Sequence, residues 1–339
     1  MVGGIFNLLT IKKRTMYYLS KHITAVGKVA FTILFFLFAI ACQKEEIASN
    51  ELQSADASIK SLNSVNITST GMNFIAPKEI PSGWNTFKYM NKTGEPHFFL
   101  LIKIPEEKTL EDYKNQVTVP FNNLLEVLRG ERDFNPETDA IASWFFTDAI
   151  NSGGTGIIEA AGKAVTSIYL EPGNYIIECY VKLPNGKLHS VVGMLDQMTV
   201  TEEVTKEKEP KVDVSIDITA AGIQLNDEIK RPGLHTFSVD FIAEPEGVRP
   251  DVHLVRIIDE TMANEEILKK WMNFFHFGED MEGLMTPAPA GYTFLGGTQE
   301  VPQGARTYFQ AVLTPGKYAL VSEIDHNLGD NFYQEFTVE

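Results

Sequence analysis

The sequence predicts an all-β fold: two sandwiches in tandem, each with a short helical insertion. Three observations predict it. β-Branched and aromatic residues recur in short alternating runs, and the runs are separated by clusters of Gly, Pro and Asn. Long amphipathic helical patterns are few. A set of short motifs in the first half returns in the same order in the second. With 339 residues the chain is long enough for two domains with their own cores.

The first 41 residues differ from the rest. They carry Lys12, Lys13, Arg14, Lys21 and Lys28 and no acidic residue. The remainder holds the other 24 basic residues against all 45 acidic ones, a balance of −21. A body this acidic has no footprint for nucleic acid and no charge attraction to an anionic membrane. Val29 to Ala41 is an apolar run too short to span a bilayer as a helix, and it suits the core of a signal peptide. Met16 offers a second start that gives this leader a more ordinary length. Ala39-Ile40-Ala41-Cys42 resembles a bacterial lipobox, which implies cleavage before Cys42 and acylation of that cysteine, a stable anchor. Gln43-Lys44-Glu45-Glu46 resembles the signal that sends Bacteroidota-type lipoproteins to the outer face of the outer membrane. Ser, Asn, Ala and charged residues from 42 to 64 read as a flexible tether.

The first domain is expected over 65–203. Met72 to Ile75 is extended, Lys78 to Gly83 reads as a turn, and Trp84 to Met90 as a strand. Asn91 to Glu95 turns the chain into the apolar strand Pro96 to Ile102. Residues 107–150 carry helical spacing at Leu110 to Tyr113 and Phe121 to Leu128 and an aromatic cluster at Trp144 to Phe146, which predicts an insertion lying over the sandwich. Ser152 to Thr155 reads as a break. Strands follow at Ala164 to Leu170 and Tyr175 to Leu183, around a turn at Glu171 to Asn174.

A charged linker, 204–211, leads to the second domain, 212–339. There Gly222-Ile223-Gln224-Leu225 echoes Gly71-Met72-Asn73-Phe74, and Leu234-His235-Thr236-Phe237 echoes Trp84-Asn85-Thr86-Phe87. Pro250 to Val255 echoes Glu95 to Leu100, Gly296-Gly297-Thr298 echoes Gly153-Gly154-Thr155, and Pro315-Gly316-Lys317-Tyr318 echoes Pro172-Gly173-Asn174-Tyr175. The second domain reads as a copy of the first, with its own helical insertion near Ile267 to Phe277.

The chemistry-bearing stretch is Leu170 to Val200. It holds Cys179, the only cysteine besides Cys42, then His189 and Met194. A thiolate, an imidazole and a thioether in succession, with a second imidazole from His97, is a soft ligand set that suits copper. Each residue also has a plain reading: a buried thiol, a core methionine, a satisfied histidine.

Pro96-His97 after a turn, Leu170-Glu171-Pro172-Gly173-x-Tyr175-x-x-x-Cys179, and His189-x-x-x-Gly193-Met194 before a last strand together resemble the cupredoxins, the plastocyanin and azurin type of Greek-key β-sandwich. The resemblance covers most of the first domain outside its insertion and the second more weakly. It implies that His97, Cys179, His189 and Met194 are copper ligands, and an activity of one-electron transfer or copper handling with a redox or envelope protein partner. Seven residues after Pro315 stands Ser322, and Phe332 matches Met194, so the second copy keeps His253 but lacks the thiolate and thioether, and a metal bound by the first is not expected there.

One departure matters. The family separates its cysteine and second histidine by fewer residues than the nine found here. Leu183-Pro184-Asn185-Gly186-Lys187 reads as a hairpin turn, and side-chain parity decides its consequence. A two-residue Asn-Gly turn pairs Lys182 with His189 and points His189 away from Cys179. A three-residue turn with Gly186 left-handed pairs Val181 with His189 and puts both on one face.

A second function class is a metal-free surface module presenting Trp144, Phe145, Trp271, Phe274 and Phe275. These aromatics equally suit caps on the sandwiches. A hydrolase finds no support: there is no Gly-x-Ser-x-Gly elbow, His-Glu-x-x-His run or phosphate loop.

Overall fold

A computed structural model describes residues 64–245, 248–274, 281–324 and 330–339. The expected leader, Cys42 and the tether up to residue 63 lie outside the described residues. Residues from Ser61 onward form one compact unit. No helix of the described residues is long and apolar enough to cross a membrane.

The first half contributes strands β1 (Val65–Ser69), β2 (Phe74–Ile75), β3 (Glu79–Asn91), β4 (His97–Ile104), β5 (Ile150–Ile158), β6 (Lys163–Leu170), β7 (Gly173–Glu178) and β8 (Leu195–Val204). The second contributes β9 (Val214–Thr219), β10 (Gly222–Leu225), β11 (Gly233–Phe241), β12 (Val252–Ile257), β13 (Tyr292–Thr298), β14 (Arg306–Leu313), β15 (Gly316–Val321) and β16 (Tyr333–Val338). In each half one sheet joins the first, second, third and sixth of these strands, and the other joins the fifth, fourth, seventh and eighth in that spatial order. The first and third strands are parallel in both halves, β1 with β3 and β9 with β11. This is the cupredoxin-like Greek key that the resemblance implied.

The two sandwiches are joined edge to edge. β6 pairs with β14 and β5 with β13, both antiparallel, so each sheet runs through both halves. Joining covers four strand edges, those of β5, β6, β13 and β14, that would otherwise need protection. The linker is docked as well, with Glu209 against Tyr308 and Arg306 of β14.

Two expected breaks are strand. Lys78 to Gly83 is not a turn: β3 is continuous from Glu79, runs beside β8 as far as Ser82, then crosses to pair with β6 from Gly83. A register shift at Pro81/Ser82 and the Asn85 amide, which donates to the carbonyls of Pro81 and Gly83, shape the crossing. Ser152 to Thr155 likewise lies within β5. Its glycine serves close approach, since a Cβ on Gly154 would stand 1.9 Å from the Phe99 carbonyl oxygen.

The insertion over 107–150 is helical as expected. It comprises α1 (Leu110–Tyr113), a π-helical turn (Lys114–Thr118), α2 (Val119–Leu128), α3 (Pro136–Asp139) and α4 (Ser143–Thr147). A capping box of Thr109 with Asp112 starts it, and Pro120, which has no N–H to donate, comes just after the π-helical turn. Tyr113, Val117 and Leu125 are buried in the first-half core. The second insertion is α5 (Glu265–Met272), capped by Asn264. Its Leu268, Trp271 and Met272 join that same core, which therefore continues across the two halves.

A candidate metal centre at one end of the first sandwich

Four segments converge at one end of the first sandwich. His97 is the first residue of β4. The turn before it is clamped by buried Asn91, whose amide nitrogen donates to the carbonyls of Glu95 and Glu159, and whose Oδ1 accepts from Thr93. Cys179 directly follows β7, so the strand expected to reach Leu183 ends earlier, at Glu178. The Glu178 carboxylate accepts from the Tyr113 hydroxyl at 2.7 Å, which ties the helical insertion to the residue next to the thiol.

The hairpin takes the three-residue form. Lys182 pairs with Leu188, the Leu183 N–H donates to the Lys187 carbonyl, and the His189 N–H donates to the Val181 carbonyl. Gly186 has φ +77°, which L side chains rarely adopt. With Val181 opposite His189, the imidazole falls on the Cys179 face. The chain then turns tightly: the His189 carbonyl accepts from the N–H of Val192 and of Met194. The Met194 carbonyl in turn accepts from the Cys179 N–H. Met194 is therefore fixed by its backbone to both neighbours, and its side chain is buried.

Cys179 Sγ lies 3.8 Å from His97 Nδ1 and 3.8 Å from His189 Nδ1, and the two nitrogens are 3.0 Å apart. All three side chains are fully buried. A point equidistant from the three atoms is about 2.1 Å from each by plane geometry, close to metal–imidazole and metal–thiolate bond lengths. The donor set and its spacing therefore fit a single soft or borderline ion.

The electrostatics point the same way. Burial lowers the proton affinity of His97, to about 4, and burial together with its neighbour His97 lowers that of His189, to about 3. Both rings are neutral at physiological pH and keep lone pairs to offer. Burial pushes the Cys179 thiol up to about 12, opposed by the backbone N–H groups of Phe98 and Val181, which point at the sulfur. A thiolate at neutral pH requires a cation beside it. Both Nε2 atoms are buried and lack hydrogen-bond partners among the described residues; Glu95 Oε2 approaches that of His189 at 3.4 Å.

Reading the sequence missed Glu95, Glu178 and Tyr113 as neighbours of this centre. Glu178 was legible as the residue before Cys179, but Tyr113 arrives from the insertion with no sequence signal. The aromatics offered for a surface module are not a free surface: Trp271 and Phe274 are buried, and Trp144 and Phe145 are half-buried against the core. Phe275 lies outside the described residues.

His253 does not occupy the position of His97. Leu100 pairs with Gly154 and Glu178, whereas His253 pairs with Gly297 and Val321. Gly297 and Val321 correspond to Gly154 and Glu178, so His253 stands where the first half has Leu100. Matching the two segments by their histidines overlooked this offset of three residues.

No protein-family model and no curated protein matches the chain. Among solved structures it is similar to a sodium-dithionite-reduced auracyanin from the photosynthetic bacterium Roseiflexus castenholzii, at 20% identity, covering 40% of this chain and 94% of that one, with a TM-score of 0.24. It is similar to auracyanin A, a "blue" copper protein from Chloroflexus aurantiacus, at 14% identity, covering 41% and 98%, with a TM-score of 0.26. It is similar to a multicopper oxidase at 12% identity, covering 82% and 88%, with a TM-score of 0.20. The fold rests on the strand order and register described above, not on these likenesses.

Proposed function

We propose that this chain is a lipid-anchored protein of the cell envelope whose first domain, 65–203, holds one copper ion for electron transfer or copper handling. The observation that carries the reading is the triangle of His97 Nδ1, Cys179 Sγ and His189 Nδ1, with sides of 3.0 to 3.8 Å in a fully buried setting. Copper, when bound, supplies one-electron redox chemistry. Cys179 would give the thiolate, His97 and His189 neutral imidazoles and Met194 a thioether. The Phe98 and Val181 N–H groups stabilise charge on the sulfur. Burial of every ligand leaves no opening for a substrate at the ion, which favours electron transfer over turnover of a bound molecule.

The second domain, 212–339, is a degenerate second copy that lacks this ligand set. Ser322 stands where the first copy has Cys179. Acylation at Cys42 would anchor the protein in the outer membrane, with the tether holding the acidic body clear of the surface.

Equilibrium dialysis of the full-length chain in detergent against Cu(II), beside Cys179→Ser, tests the copper reading. One equivalent of copper retained by the wild type and lost by the variant is expected; equal retention by both contradicts it. Fractionation of cells carrying Cys42→Ser tests the anchor. Transfer of the protein from membrane to soluble fraction is expected, and unchanged membrane association contradicts it.

A further inference from the structure

A cavity of about 810 Å³ lies between the helical insertion of the first half and residues of the second. That volume is in the range that takes a small organic molecule. The insertion contributes Val117 and Thr118 from its π-helical turn, Phe121 from α2 and Phe145 from α4. A π-helical turn is uncommon and recurs at functional sites. The second half contributes Glu300, two residues beyond β13, and Glu323, two residues beyond β15.

The wall is mostly aromatic and aliphatic, yet it carries carboxyl groups with few partners. Glu300 is 9% exposed and Glu323 6%. Glu300 Oε1 accepts from the Asn151 amide at 2.6 Å. Glu323 Oε1 lies 3.0 Å from His253 Nε2. His253 Nδ1, however, accepts from the Ile157 N–H, so the ring's one hydrogen sits on Nε2 and is donated to Asp251. Glu323 Oε1 is left with no hydrogen-bond partner among the described residues, and so is Thr118 Oγ1, which is also buried. Two further acids of the lining are committed: Glu178 accepts from the Tyr113 hydroxyl, and Asp251 from the Ser322 hydroxyl and the Glu323 N–H.

No lysine or arginine of the described residues forms an ion pair with Glu300 or Glu323, and Arg249, the basic residue of the lining, is exposed. Burial and the nearby Asp251 push Glu300 up to about 8 and Glu323 up to about 7. Both hold protons near neutral pH that an incoming cation would displace. A bare ion would find too few donors, because Glu300 belongs to no tight group of ligand atoms among the described residues. An ion that carries an apolar body meets the whole wall, and aromatic faces attract cations. The chain's net charge of −16 favours the approach of a cation.

We propose that this cavity binds a small organic cation, a protonated amine on an apolar body. Glu323 and Glu300 receive the ammonium, and Val117, Phe121 and Phe145 hold the body. The site does not depend on copper at the thiolate centre. The probes are naphthylethylamine, its neutral counterpart naphthylethanol and the anion naphthylacetate, each titrated calorimetrically into the full-length chain in detergent, with the heat of detergent alone subtracted. The amine is expected to bind at one equivalent and at least tenfold more tightly than the alcohol or the carboxylate, a comparison that needs no variant. Glu323→Gln, close to isosteric, is expected to lower amine affinity at least tenfold, leaving alcohol affinity and circular dichroism unchanged. No saturable binding of the amine, equal affinity for amine and alcohol, tighter binding of the carboxylate, or unchanged amine affinity in a folded Glu323→Gln would each overturn the proposal.

Discussion

The Nδ1 atoms of His97 and His189 stand 3.0 Å apart, although 92 residues separate the two along the chain. Two neutral imidazoles at that distance share either one proton or one cation. The thiol 3.8 Å from both completes a triangle that suits a cation. The arrangement depends on register, because each side chain reaches the centre from a different segment end.

Register at the hairpin is therefore testable. Inserting one alanine between Leu188 and His189 moves the imidazole to the opposite strand face. Copper binding is expected to fall at least tenfold with the far-ultraviolet circular dichroism preserved. An alanine inserted at the loop tip, between Asn185 and Gly186, leaves the Lys182–Leu188 pair intact and is expected to keep copper affinity. Equal copper affinity in both insertions would mean that hairpin parity does not govern the site.

The close approach of β5 to β4 gives a stability prediction. In Gly154→Ala the new methyl group would meet the Phe99 carbonyl at 1.9 Å, a backbone atom that cannot move alone. A loss of about 2–4 kcal/mol is expected for overpacking of this kind. Urea unfolding measures it, and a midpoint within error of the wild type would show that the strands are further apart.

Lys182 gives a pH dependence. Its ammonium is buried at 0% exposure, donating to the Met281 carbonyl at 3.0 Å and lying 4.4 Å from the Phe274 ring centroid. Burial lowers its proton affinity to about 7. The unfolded chain holds that proton up to a pH of about 10.4. Between these values the unfolded state binds more protons, so this residue's contribution makes stability rise with pH, on the order of a few kcal/mol over the window. Lys182→Met is expected to be more stable than the wild type at pH 7 and to flatten the rise. Parallel pH profiles of the two proteins would rule this out.

Much of the fold was legible because alternation, turn residues and the ordered echoes agree with one another. The stretches that misled were Lys78 to Gly83 and Ser152 to Thr155, where Pro and Gly signal turns in a sequence but here shape a sheet crossing and a close strand contact. The candidate ligand set was legible as residue types in order, yet parity at the hairpin stayed open without the Val181–His189 pairing. The sharing of both sheets across the halves left no signal in either half alone.

The central claim is that the first sandwich binds copper through a thiolate. The most direct measurement is visible absorption of the full-length chain during Cu(II) titration, beside Cys179→Ser. An intense thiolate-to-copper band that saturates at one equivalent and is absent from the variant is the expected result. A folded wild-type protein with a free thiol and no such band would contradict the account.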